Sequence, residues 1–225
     1  MKKLFKSFTT ISAVILIGTL FNTGTASAAP QENVPPELQT SLISTWTAYG
    51  VSTDVQNALI VKLRAREYLD SMLGGQPDSI KMIAHTTTSV QEYADGSINV
   101  LSMEAPLKLA RGGVSTQSVT TCSGGGTNRI YTDCTVSGWF TGVRLSFLAD
   151  YQLSTTSQAR ILGYRAPTVS CTLPLTCTGP IFEVTRLTQN GSLAARVSAT
   201  TYWSGLGSGT TRLSLSVINL SATTN

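Results

Sequence analysis

The stretch Trp139-Phe140-Thr141-Gly142-Val143-Arg144-Leu145-Ser146-Phe147-Leu148-Ala149-Asp150-Tyr151-Gln152-Leu153 decides the fold class. Val143, Leu145, Phe147, Ala149, Tyr151 and Leu153 fall on one side of an extended chain. Arg144, Ser146, Asp150 and Gln152 fall on the other. A period of two is the mark of a strand with one buried face, so Trp139 to Leu153 is read as one long strand. The same alternation returns in Leu193 to Trp203, where Leu193, Ala195, Val197, Ala199 and Trp203 alternate with Arg196 and Ser198. It returns again in Arg212 to Leu220, with Leu213, Leu215 and Val217 inward. Arg129 to Val136, Arg160 to Tyr164 and Ile181 to Leu187 add shorter candidates, and Thr116 to Cys122 is expected to pair with Arg129 to Val136. Turn signals separate them: Asn190-Gly191, and the glycines at 205, 207 and 209. Six or seven short strands divided by turns predict a mainly β chain built as an antiparallel β-sandwich, with a small barrel as the alternative.

Upstream the period changes from two to that of a helix. Leu38, Leu42, Ile43 and Trp46 stand at helical spacing in Glu37 to Tyr49, and Gly50 stops that helix. Thr53 opens a second, with Gln56 at the capping-box position. Its apolar stripe is Val55, Leu59, Leu63 and Leu69, with Met72 near an end at Gly74-Gly75. A β-hairpin follows, Lys81 to Tyr93 and Ile98 to Glu104, turning at Asp95-Gly96. The expected organisation is a signal peptide at 1–28, a disordered leader at 29–36, a helical hairpin plus β-hairpin at 37–113, and a disulfide-stapled sandwich at 114–225.

The signal peptide is read from three parts. Lys2, Lys3 and Lys6 make the basic start, Ile11 to Phe21 the apolar centre, and Ala26-Ser27-Ala28 the small-residue cleavage site. The apolar run is shorter than the ~20 residues a bilayer needs. The chain is therefore expected to be secreted, with no transmembrane anchor after cleavage. Loss of those three lysines takes the net charge from +4 to +1, so nucleic-acid binding is not read from the basic pI. What remains is uneven. Residues 29–113 carry a net −3, whereas residues 114–225 carry +4 from seven arginines and three acids, without a lysine. A guanidinium presents a planar fork of donors suited to carboxylates and phosphates.

The cysteine count is four: Cys122, Cys134, Cys171 and Cys177. An even number in an exported chain reads as disulfides. Three pairings are possible, and local spacing favours Cys122–Cys134 and Cys171–Cys177. A zinc site fits poorly, because there is no C-x-x-C pair and the lone histidine, His85, is distant in sequence.

The run Tyr49-Gly50-Val51, Gln56, Leu59-Ile60 and Lys62-Leu63, followed by a cysteine-bearing β-region rich in Thr, Ser and Gly, resembles a group of secreted actinobacterial proteins without an assigned role. The resemblance implies secretion and this architecture; it implies no activity.

Catalytic equipment is sparse. Nucleophilic hydrolysis calls for a base beside the nucleophile, and His85 sits in a predicted strand with no acid near it. No Walker loop, Rossmann fingerprint or H-E-x-x-H is present, so neither a cofactor nor a metal is expected. Three binding features stand out instead. The first is the disulfide-closed loop carrying Leu173, Pro174 and Leu175, of the kind some protease inhibitors present. The second is the aromatic group around Trp139 and Trp203, which either stacks on a ligand or fills the core. The third is the helical hairpin, whose two amphipathic helices dock either on the chain's own positive sandwich or on another protein; Arg144 and Arg196, on polar strand faces of the arginine-bearing back half, are further binding candidates. The leading expectation is a non-enzymatic protein that binds an extracellular protein or a cell-envelope component. The alternatives are a glycan- or envelope-acting hydrolase using Asp150 or Glu183, and a protease inhibitor acting through the closed loop.

Overall fold

The computed structural model describes residues 34–84, 86–105, 122–125, 129–155 and 158–225. The expected signal peptide, residues 29–33 of the leader, His85, the boundary region at 106–114 and the strand expected at 116–121 lie outside the described residues.

Two helices come first. α1 runs Pro36–Ala48 and α2 runs Thr53–Arg64. Val34, assigned from sequence to the leader, is already buried. α1 ends where expected: Gly50 takes φ +80°, and the Val51 amide reaches back to the Trp46 carbonyl at 2.9 Å, closing a left-handed cap. The cap of α2 is Ser52 rather than Thr53, its hydroxyl accepting from the Val55 amide at 3.5 Å. Gln56 does not close a capping box. Its side chain turns back and donates to the Val51 carbonyl at 2.8 Å and the Thr47 hydroxyl at 3.1 Å, tying the two helices together. α2 stops ten residues before Gly74, at a cap formed by Arg66 at φ +60° with the Glu67 amide on the Lys62 carbonyl. Leu69 is buried beyond the helix end, and Met72 closes a single 3-10 turn, Asp70–Met72.

The strands make two antiparallel sheets, so the chain is mainly β, as the sequence predicts. The first has the order β1 (Ser79–Met82), β2 (Thr88–Glu92), β3 (Ile98–Met103), β5 (Ile130–Phe140), β6 (Val143–Gln152) and β7 (Arg160–Cys171), with β4 (Ser123–Gly125) also on β5. The second has the order β12 (Ser221–Thr224), β11 (Ser208–Ile218), β10 (Ala195–Ser204) and β8 (Thr176–Cys177), with β9 (Ile181–Arg186) also on β10. β2 and β3 are the hairpin predicted at Asp95-Gly96. β3 pairs directly with β5, Val100 opposite Trp139, so the hairpin and the sandwich share one sheet.

The stretch Trp139 to Leu153 is not one strand. β5 ends at Phe140, Thr141 and Gly142 turn with φ of +37° and +87°, and β6 returns with Val143 opposite Phe140. A two-residue turn with both φ positive matches the twist of antiparallel strands. A β-carbon on Gly142 would lie 2.9 Å from a Leu38 methyl, so the turn is also pressed against α1. Leu193, read as inward, is exposed, and β10 starts two residues later.

Two apolar cores result. Between the sheets, Leu101, Val136, Leu145, Phe147, Val197, Leu213 and Leu215 pack with both cysteines of the first disulfide. On the opposite face of the first sheet, Leu38, Leu42, Trp46, Leu59 and Leu63 of the helices cover Val100 and Trp139, and Leu175 and Trp203 join them. Both disulfides form as spacing suggested, Cys122–Cys134 and Cys171–Cys177.

Candidate functional site

Where the inter-sheet core ends, its hydrophobic side chains give way to polar ones. β3 alternates Leu101 and Met103, which face the second sheet, with Ile98 and Val100, which face the helices. Asn99 therefore falls on the side facing the second sheet, opposite Phe140 on β5 and Gln91 on β2. It is 5% exposed. Its orientation is fixed by its neighbours. Nδ2 donates to the Ser71 carbonyl at 3.3 Å and to the Tyr93 hydroxyl at 2.9 Å. A carbonyl can only accept, so Oδ1 is the atom left over, and it is buried with no hydrogen-bond partner.

Ser71 is brought to Asn99 by a reciprocal pair of aspartates. The Asp70 amide donates to Asp95 Oδ2 at 3.0 Å, and the Asp95 amide donates to Asp70 Oδ2 at 3.1 Å. Lys62 Nζ donates to Asp95 at 2.9 Å, and the Ser71 amide donates to the Ser97 hydroxyl at 3.0 Å. The 3-10 turn is thereby locked to the hairpin turn. Burial pushes the Asp95 carboxyl up, but hydrogen bonds from Ser97, the Asp70 amide and Lys62 outweigh it and hold the group below its ordinary value. The Ser71 and Thr141 hydroxyls pair at 3.0 Å. Burial pushes the Tyr93 phenol up, against its bond with Asn99, so it stays protonated.

Ser71, Tyr93, Asn99 and Thr141 line a cleft of about 310 Å³, whose other wall includes Arg196 of β10, Trp203, and Thr211 and Arg212 of β11. That size is at the lower end of small-ligand sites. No aspartate, glutamate or lysine is among the described lining residues. The two arginines differ. Arg212 is ion-paired with Glu183. Arg196 is half-buried, its Nε closed off from water with no partner.

The sequence-predicted residues scatter. Arg196 and Trp203 reach this cleft, although Trp203 is only 5% exposed. Trp139 is buried under the helices, where it fills the core and offers no anchor. Arg144 is exposed beside it, opposite Trp139 in the ladder. In the disulfide-closed loop, Leu173 is 66% exposed but Leu175 is 3% exposed. The Leu175 amide bonds the Thr172 carbonyl at 3.0 Å, so the loop turns tightly and presents one of its three predicted residues. Pro174 lines a separate cleft of about 380 Å³ with Pro35, Arg66, Tyr68 and Leu206. Of the candidate carboxylates, Asp150 is held by Arg165, which also grips Asp133. That guanidinium holds the Asp150 carboxyl below its ordinary range, so it stays ionised and has no proton to give. Glu183 is occupied by Arg212.

Sequence reasoning missed Asn99, Tyr93 and Ser71. One signal was available: Asn99 is a lone amide inside the apolar run Ile98-Asn99-Val100-Leu101, the kind of residue that is buried only with partners.

No family model matches the chain, and neither a curated protein nor a solved structure shows significant similarity to it.

Proposed function

We propose that this protein is a non-enzymatic binding protein that works outside the cytoplasm and holds a polar component of the cell envelope in the cleft at the end of the sandwich. The observation that carries this reading is the cleft's lining: amides, hydroxyls, aromatic rings and arginines, with no aspartate or glutamate side chain among the described lining residues. General acid–base chemistry needs a group titrating near the working pH. Burial holds the Tyr93 phenol above its ordinary value, and Asp150 and Glu183 are bound to arginines. Two disulfides suit an oxidising compartment, and the export signal read at 1–28 agrees with it.

The test is calorimetric titration of the purified, oxidised protein with soluble envelope saccharides and wall fragments, with product analysis of each mixture. Binding without new products is the expected result. Turnover of any ligand, or no binding across the panel, overturns the proposal. For export, N-terminal sequencing of protein recovered from the medium should begin at Ala29; an intact Met1 start removes that part.

A further inference from the structure

Resting on that reading, we infer that the cleft takes its ligand as an extended peptide, added as one more strand to an open stretch of the β11 edge. Main-chain direction defines the stretch. In an antiparallel ladder, successive residues point their N–H and C=O groups alternately to one neighbour and to the other. The Ser214 amide and carbonyl both bond Asn225, at 2.6 and 3.1 Å. The pairing of β10 with β11 runs from Ser208 to Val217 without a register shift, so Thr210 and Arg212 point the same way as Ser214, away from β10. Ser208 keeps the parity: its amide and carbonyl meet the Tyr68 hydroxyl at 3.1 and 3.2 Å. β12 itself pairs with β11 only from Leu215 to Ile218. The edge is thus closed by Asn225 at one end and by Tyr68 at the other. Between them, Thr210 and Arg212 have no main-chain partner on that side among the described residues. Both are exposed, and both line the cleft.

An unpaired strand edge is a template for another chain. Strand addition draws affinity from the main chain and selectivity from alternate side chains. From Ser208 to Ser214 the edge spans about 20 Å, and three ligand residues fill the gap, opposite Thr210, Thr211 and Arg212. The outer two exchange N–H and C=O bonds with Thr210 and Arg212, and the middle one points its own main-chain groups away. The middle side chain shares the core-facing side of β11 with Thr211 and Leu213, both buried, so a small apolar residue fits it. The outer two share the exposed side of Thr210 and Arg212, so polar residues fit them. A saccharide carries no row of alternating amides and carbonyls, so this edge selects a peptide.

The experiment titrates the full, oxidised protein with the capped peptide acetyl-Ser-Thr-Val-Thr-Ser-amide, following heat and amide hydrogen exchange. In the free protein the Thr210 and Arg212 amides should exchange much faster than the Ser214 amide, and the peptide should slow both. N-methylation of the two threonines removes the donors that face β11 and should weaken binding about tenfold or more. N-methylation of the valine, whose N–H points away, should leave it nearly unchanged. Thr210→Pro deletes the N–H on the cleft side, where an edge strand tolerates proline, and should cause a similar loss; Thr210→Ala, which removes only the hydroxyl, should not. Thermal melts check that each variant is folded, and the methylated peptides test the same bonds in the parent protein. Equal losses from all methylations, or affinity that survives both threonine methylation and Thr210→Pro, overturn strand addition while leaving a binding function intact. An inert peptide beside a saccharide that binds does the same. Absence of binding by the peptide and by every saccharide and wall fragment in the panel overturns the binding reading as well.

Discussion

The two cores of this molecule rest on the same sheet but are built by different rules. The inter-sheet core is filled by strand residues at every second position, such as Leu145, Phe147 and Ala149 facing Val197, Leu213 and Leu215. The core on the other face is filled by helix residues at spacings of three and four, Leu38, Leu42 and Trp46, together with Leu175 and Trp203 from far along the chain. Phe140 and Val169 pack against both. The first core can be read almost entirely from local alternation. The second cannot, because its last members come from a loop and a strand more than a hundred residues away. The difference shows that periodicity reveals which face of an element is buried, but not what buries it.

The comparison can be broken most directly by emptying one core. Phe147→Ala should cost about 3–5 kcal/mol, and because Phe140 and Val169 link the cores, near- and far-ultraviolet dichroism should report a single melting transition at lower temperature. Two separated transitions would mean that the cores fold independently. The disulfides test the same contrast at smaller scale, one stapling the inter-sheet core and the other closing the loop that feeds Leu175 to the helices. Replacing Cys122 and Cys134 by alanine should cost about 2–3 kcal/mol in urea unfolding. Replacing Cys171 and Cys177 should cost about 0.6 kcal/mol less, since its ring spans 6 residues rather than 12. Equal losses would show that chain entropy does not set the difference. Ser52→Ala should cost about 1 kcal/mol, seen as faster amide exchange in α2 with little change in the sandwich; uniform acceleration throughout would contradict it.

The smallest expected effect is electrostatic. Arg165 holds the Asp150 carboxyl below its ordinary value, so the unfolded chain takes up that proton more readily than the folded one. The stabilisation is complete above the ordinary carboxylate pKa of about 4 and is lost as pH falls through the depressed folded value. The urea midpoint should therefore fall on acidification below about pH 4, and Asp150→Asn should flatten part of that fall. An unchanged profile in the variant would assign the acid sensitivity to other carboxylates.

Much of the fold was legible in the sequence because its signals are local. The alternation of residues 143 to 153, the Asp95-Gly96 turn and both disulfide pairings depend on neighbours along the chain. What stayed hidden lies where a residue takes a conformation its type does not advertise. Arg66 closes α2 at φ +60°, a position where glycine is the usual occupant, so the expected helix ran on to Gly74-Gly75. Thr141 supplies the first positive φ of the β5–β6 turn, and Thr-Gly is weaker as a turn signal than Asn-Gly or Asp-Gly. The site was less legible than the fold. Arg196 and Trp203 were found by residue type, but the Asn99 acceptor exists only because Ser71 and Tyr93 converge on it across 28 and 6 residues.

The presence of Trp203 and Leu175 in the helix-side core bears on the order in which the chain can fold. A chain emerging N-terminus first has α1 and α2 available early, but the surface they must cover is unfinished until residue 203 has appeared. Helices of 13 and 12 residues are marginal in water without tertiary packing, and contacts closed over such long separations form slowly. The helices at the front therefore lack part of the surface they pack on until residue 203 has joined it.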